Sequence, residues 1–253
     1  IISAFVLIGG IKSIGKVTSF LVPVMIGFYV ICSLLIIFMN FEMVPAAFEL
    51  IFVQAFTPTA AAGGFLGSTI MLTIRMGVAR GVFSNESGLG SSPIAAAAAQ
   101  TKHPAYQALI SMTQTFIDTI IVCTMTGLVI VMSGLWSSGQ NGAELTANAF
   151  SWGISGGNIV VAIGLILFAY STILGWCYYG EKAIEYLFGE RSIKPYRYVF
   201  ILFVGVGAIS KLEFVWSVSD TFNGLMALPN LIALVLLSPV VAKETKDFLK
   251  NHK

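Results

Sequence analysis

An all-α integral membrane protein is the fold class that the sequence predicts, and three observations predict it. Of its 253 residues, 57% are hydrophobic and 10% charged, where an ordinary soluble domain is about 25% charged. Mean hydropathy is +0.87. The apolar residues gather into stretches that meet or approach the roughly 20 residues a helix needs to cross a hydrocarbon core of about 30 Å, and Lys and Arg gather between them. A soluble domain is excluded. A net charge of +2, with no basic run outside the C-terminal end, excludes a nucleic-acid-binding surface. Cys32, Cys123 and Cys177 all lie in apolar stretches without CxxC spacing, and His103 and His252 lack metal-ligand spacing. Neither a disulfide framework, a zinc centre nor an organic cofactor is expected.

Residues 1–242 read as the membrane domain. The first residues, IISAFVLI, look like the end of an earlier apolar segment and carry no initiator Met, so the chain reads as a fragment whose N-terminal half lies elsewhere. GGIKSIGK follows as a short basic loop. Six spans are predicted: 19–39, 44–74 with a break at 58–67, 105–132, 158–187, 198–209 and 222–241. The fifth is short and uses Lys194 and Arg197 as a snorkelling end. Four basic groups alternate with loops poor in Lys and Arg. The groups are Lys12 and Lys16; Arg75, Arg80 and Lys102; Lys182, Arg191, Lys194 and Arg197; and Lys243, Lys246, Lys250 and Lys253. The poor loops are 40–43, 134–157 and 210–213. Because basic loops are retained in the cytoplasm, residues 243–253 are expected as a cytoplasmic tail of an inner or plasma membrane protein. Keeping the last segment as one span implies an irregular stretch before it, around Asp220, Asn223 and Gly224.

Four groups of residues carry possible chemistry. In FTPTAAAGGFLGST (56–69), Pro58 removes a backbone donor, and Gly63, Gly64 and Gly67 weaken a helix while permitting close backbone approach. An open backbone in lipid is tolerated only where protein or a water-filled cavity satisfies it. The stretch therefore reads either as a broken helix at an ion or substrate site or as small-residue packing. Asp118 lies in the third span, with Ser111, Thr115, Thr119 and Thr126 on roughly the same helical face. A carboxylate there is either functional or a structural hydrogen-bonding group. Ser171 and Thr172 stand half-way along the fourth span with Trp176 one turn on. The hydroxyls suit a hard cation, or they bond back to their own helix. Tyr178 and Tyr179 read as interfacial aromatics. The run GVARGVFSNESGLGSSP (77–93) is a cytoplasmic, polar, glycine-punctuated stretch leading into a small-residue helix, in which Arg80 and Glu86 are candidates for a gating ion pair and Ser84 and Asn85 for a helix cap. No Lys-Ser/Thr follows Gly88-Leu89-Gly90, which excludes a nucleotide loop.

FTPTAAAGGF, the run from GVARGV to TKHP, FIDTIIVCTMTGLVI, STILGW and DTFNGLMALPNLIALVLLS together resemble the sodium:alanine symporter family, along essentially the whole chain. The resemblance implies the inverted-repeat, LeuT-like fold of the amino acid–polyamine–cation superfamily, with the chain holding the last helix of repeat one and all of repeat two. The break near 59–67 then corresponds to the discontinuous helix that opens the second repeat. By the same resemblance Thr172 contacts a bound amino acid and Trp176 limits its side chain to alanine or glycine size. Ser171 and Thr172 meet a sodium ion, and Ala62, Gly63, Gly64 and Phe65 supply backbone contacts and pocket wall. The family's first broken helix, with its GTGN-type sequence, is absent from this sequence. The implied function is a sodium-coupled symporter that imports a small neutral amino acid by alternating access, with sodium co-transported and no catalytic residue. The alternatives are proton coupling, an ion channel lined by the broken helix, an intramembrane enzyme using Asp118, and an interaction protein without transport. Asp118 lacks a paired carboxylate, which weighs against the enzyme.

Overall fold

The structure is a computed structural model that describes residues 10–56 and 69–251, with side chains over 14–53 and 74–251. Every regular element among the described residues is helical. In chain order these are α1 (Gly10–Met39), α2 (Val44–Phe56), α3 (Thr69–Asn85), the short α4 (Ser92–Ala96), α5 (Pro104–Thr115), a π-helical segment (Phe116–Cys123) and α6 (Thr124–Ser133). Then come α7 (Gly142–Gly153), α8 (Gly157–Phe188), α9 (Ile193–Ile209) and α10 (Leu212–Asn251). Among the described residues, five stretches are long and apolar enough to cross a bilayer: Ile14–Met39, Pro104–Ser133, Gly157–Phe188, Glu190–Ile209 and Leu212–Asn251. Large apolar side chains stand exposed along them, among them Phe20, Ile166, Phe203 and Val235. A water-soluble monomer does not expose apolar surface on this scale; lipid tails cover it, and the chain is a multi-pass membrane protein.

The helices cluster into two compact units. One comprises the described residues of 16–81 and 117–171. Its core is Tyr29 and Ile36 of α1 with Val129 of α6, Ala149 and Phe150 of α7, and Val161 of α8. The Tyr29 ring lies 5.3 Å from that of Phe150 and meets Phe168 edge-on at 5.9 Å. Its hydroxyl bonds the Thr126 hydroxyl at 2.7 Å, so a buried polar tip is satisfied as burial requires. A satellite of Ala47, Leu128 and Met132 fixes α2 against α6. The other unit contains residues 10–15, 82–116 and 172–251 of those described. Its buried side chains are Ile14 of α1 and, in the loop 86–91 and the second part of α8, Leu89, Ser91, Leu174, Cys177, Tyr178 and Glu181.

Four elements differ from the sequence reading. Residues 134–157, expected as a loop, contain α7, whose Ala149 and Phe150 are fully buried; the apolar face of a short amphipathic helix is too brief to register as a span. The glycine-punctuated run from 77, expected as a polar stretch beyond the end of a span at 74, continues that helix as far as Asn85. Two glycines four apart weaken a helix by about 1 kcal/mol each without ending one. The irregular stretch expected around Asp220, Asn223 and Gly224 is continuous helix, and α10 runs 40 residues through Pro229 and Pro239 to Asn251, taking in the expected tail. The hydroxyls of Ser217 and Thr221 donate to the carbonyls of Glu213 and Ser217 at 2.9 Å, which keeps that polar stretch within the helix. At about 1.5 Å per residue, α10 is roughly 60 Å long, about twice the hydrocarbon thickness. Finally, α9 begins at Ile193 rather than 198. Residues 1–8 and the break expected at 58–67 lie outside the described residues.

Gly153, at the end of α7, lies against α1: a Cβ there would collide with the fully buried Ile36 side chain. Because Ile is stiff at χ1 and the core leaves no room, Gly153→Ala is expected to lower stability by about 1–3 kcal/mol. Gly205→Ala on α9, where a Cβ meets nothing within 4 Å, is the control. Thermal unfolding in detergent micelles distinguishes them.

Candidate functional site

The loop 86–91 is built from its first residue. Asn85 ends α3, and its Oδ1 accepts the Ser87 N–H at 3.0 Å, an Asx turn of the kind that closes a chain segment locally. Glu86 then adopts φ +59°, the one left-handed non-glycine backbone among the described residues, at a cost of about 1–3 kcal/mol. What holds it there is visible. The Leu89 N–H donates to the Glu86 carbonyl at 3.2 Å, the buried Ser91 hydroxyl donates to Glu86 Oε2 at 2.8 Å, and the Tyr179 hydroxyl of α8 is in polar contact with the same carboxylate. On the far side, Asn230 of α10 donates its amide to the Gly88 carbonyl at 3.0 Å. A Cβ at Gly90, itself at φ +83°, would press on the Asn230 side chain at 3.0 Å. Phe83 and Trp216 meet edge-on at 5.3 Å beneath. The loop is thus joined to both α8 and α10.

Along α8 lie the predicted site residues. Ser171 is half-buried and donates to the Phe168 carbonyl at 3.0 Å. That is the back-bonded arrangement, and because a donor hydroxyl retains its lone pairs, the oxygen is still able to accept a cation. Thr172 is exposed. Trp176, four residues on and so on the same helical face, is half-buried and packs edge-on against Tyr179, ring centroids 5.8 Å apart with planes at 66°. The result is a continuous path from Trp176 through Tyr179 to Glu86 and Ser91.

The remaining predicted residues are placed as follows. Asp118 lies half-buried in the π-helical segment and accepts a hydrogen bond from the Thr119 hydroxyl at 3.2 Å. A π turn is wider than an α turn because its bonds close at i→i+5, so the polar stripe expected to run from Ser111 to Thr126 is rotated across it. Thr126 is committed to Tyr29 and to the Val122 carbonyl at 2.8 Å. Arg80 sits within α3, and Asn85 is at its C-terminal end rather than at a helix start, which corrects the capping expectation for Ser84 and Asn85. The contacts of the Glu86 carboxylate described above go to Ser91 and Tyr179. Ala62, Gly63, Gly64 and Phe65 lie outside the described residues. Tyr178 and Tyr179 are not interfacial aromatics: the first is buried and the second belongs to the Glu86 network.

One pair escaped the sequence reading. Arg197 of α9, expected to snorkel, donates its Nε to Oε2 of Glu181 on α8 at 2.7 Å, with side chains only 16% and 8% exposed. Separation by 16 residues hid it. Lys182 and Glu185, paired at 2.6 Å, are far more exposed and contribute little.

These features define a class: an α-helical, multi-pass membrane protein with polar side chains assembled on otherwise apolar helices and no enzyme-like constellation among the described residues. The chain belongs to the sodium:alanine symporter family, whose model matches residues 1–253. It is 53% identical over 251 residues to an uncharacterized transporter of Haemophilus influenzae, covering 98% of this chain and 55% of the relative. It is also 53% identical over 257 residues to the sodium/alanine symporter AgcS of Methanococcus maripaludis, covering 100% of this chain and 56% of that protein. A Bacillus subtilis relative, the uncharacterized transporter YflA, is 42% identical over 253 residues, with 98% and 54% covered. The chain spans about half the length of the curated relatives it matches. The family and these relatives are transporters, not enzymes.

Removing one member of a buried ion pair leaves the other charge unpaired, so Arg197→Ala is expected to cost roughly 3–5 kcal/mol of stability. The double variant Glu181→Gln with Arg197→Gln should recover most of it. Thermal unfolding of the three proteins in detergent measures both statements.

Proposed function

We propose that the protein carrying this chain is a sodium-coupled symporter that imports a small neutral amino acid, alanine or glycine, by alternating access. The observation that carries this reading is 53% identity along the whole chain to a protein named a sodium/alanine symporter. It is supported by an exposed Thr172 and a half-buried Trp176 one turn apart on α8. In this reading the Thr172 hydroxyl bonds the substrate, the Trp176 indole bounds its side chain, and Ser171 and Thr172 lend oxygens to sodium, a hard cation that takes such ligands. Ala62, Gly63, Gly64 and Phe65 complete the wall, and Arg80, Asn85, Glu86 and Asp118 act in gating or support.

The proposed architecture is the LeuT-like inverted repeat, with α2 and α3 as the two arms of a discontinuous helix. The protein sits in the cell membrane with the end of α10 in the cytoplasm. Sodium and substrate favour the same occluded state, so each raises the affinity of the other. Coupling to protons is the second reading.

Uptake of labelled alanine into proteoliposomes tests the proposal. An inward sodium gradient should drive it, potassium should not, and glycine but not leucine should compete. Thr172→Val should raise the half-saturating alanine concentration by about threefold to tenfold, the worth of one hydrogen bond, and Trp176→Ala should admit larger amino acids. Uptake driven only by a proton gradient would replace the coupling ion, and conductance without substrate would make the protein a channel.

A further inference from the structure

We infer that Tyr179 and Glu86 are positioning residues for substrate-size selection: they hold the Trp176 indole in place, so that the loop 86–91 sets which side chains the site accepts. The inference rests on the reading of Trp176 as the pocket wall. An indole on a helix has rotamers to choose from, and what stands against it decides which one is occupied. Here the neighbour is the Tyr179 ring, edge-on at 5.8 Å. A phenol ring is itself free to turn unless its far end is held, and the Tyr179 hydroxyl is held by Glu86.

The carboxylate in turn has a fixed direction, for two independent reasons. Its backbone is in the left-handed region, which sets the direction in which the side chain leaves the chain. The Ser91 hydroxyl, only 1% exposed as a residue, donates to Oε2 at 2.8 Å. The loop that carries Glu86 and Ser91 is anchored by Asn230 through the Gly88 carbonyl. A strained backbone persists where the surroundings over-determine it, and such positions cluster at functional sites. Stability alone does not require a glutamate at this φ, since Gly or Asn adopts it at less cost.

The test measures kcat/KM for alanine and for leucine in proteoliposomes, for the parent, Tyr179→Phe, Glu86→Ala, Glu86→Gln and Trp176→Ala, and for Tyr179→Phe combined with Trp176→Ala. The alanine-to-leucine ratio should fall about threefold or more in Tyr179→Phe and Glu86→Ala. Glu86→Gln, whose amide oxygen still accepts the phenol proton, should keep the ratio near the parent's. Once Trp176 is Ala, Tyr179→Phe should change the ratio no further. If Trp176→Ala shifts the ratio and Tyr179→Phe and Glu86→Ala do not, the inference fails while the pocket reading stands. A uniform loss for both substrates, tracking a lower melting temperature, also overturns it in favour of a structural role. If Trp176→Ala leaves the ratio unchanged, the pocket reading fails and the inference with it. Should Tyr179→Phe not fold, the Glu86→Ala and Glu86→Gln pair carries the same comparison.

Discussion

Polar groups within a bilayer have no water to turn to, and the placement of side chains in this protein follows from that constraint. Several hydroxyls and charges on the apolar helices are matched. Ser33 donates to the Tyr29 carbonyl at 2.8 Å, Tyr29 and Thr126 satisfy each other, and Ser217 and Thr221 bond back into α10. Glu181 and Arg197 face each other between α8 and α9. Where the pairing is local, it leaves a helix as it was. Where it joins different helices, it determines which helix faces meet, because an unpaired charge would cost more than the apolar contacts on either side return.

The Glu86 loop uses the same constraint differently. Its carboxylate bonds Ser91 and meets Tyr179 from a backbone in an unfavourable conformation, and Asn230 secures the loop from α10. Polar satisfaction is here concentrated in one loop that touches two long helices. A rearrangement of that loop would have to exchange several of these contacts together, which is how a small local change becomes a switch between discrete states.

The helical membrane class was legible because it depends on composition and on stretches of apolar residues, which sequence displays directly. The α8 residues Ser171, Thr172 and Trp176 were legible as hydroxyl and aromatic positions on an apolar helix, and the STILGW resemblance gave them roles. What sequence hid was pairing at a distance: Asn230 is 142 residues from Gly88, and nothing near Glu181 names Arg197 as its partner. Tyr179 was misread because a tyrosine near a span end is usually an interfacial anchor, and only packing reveals the carboxylate beside it. The helix α7 was missed because twelve residues with one buried face give a weaker signal than a span. The π-helical segment was missed because a register shift around Asp118 leaves no mark in hydropathy.

If sodium and a small amino acid stabilise one conformation, their binding must be reciprocal: each must raise the affinity of the other by the same factor. The most direct measurement is equilibrium binding in detergent or nanodiscs, titrating alanine at several sodium concentrations and sodium at several alanine concentrations. The account predicts that alanine binds more tightly as sodium rises, that sodium binds more tightly as alanine rises, and that the two factors agree. Alanine affinity that is the same with and without sodium would contradict it.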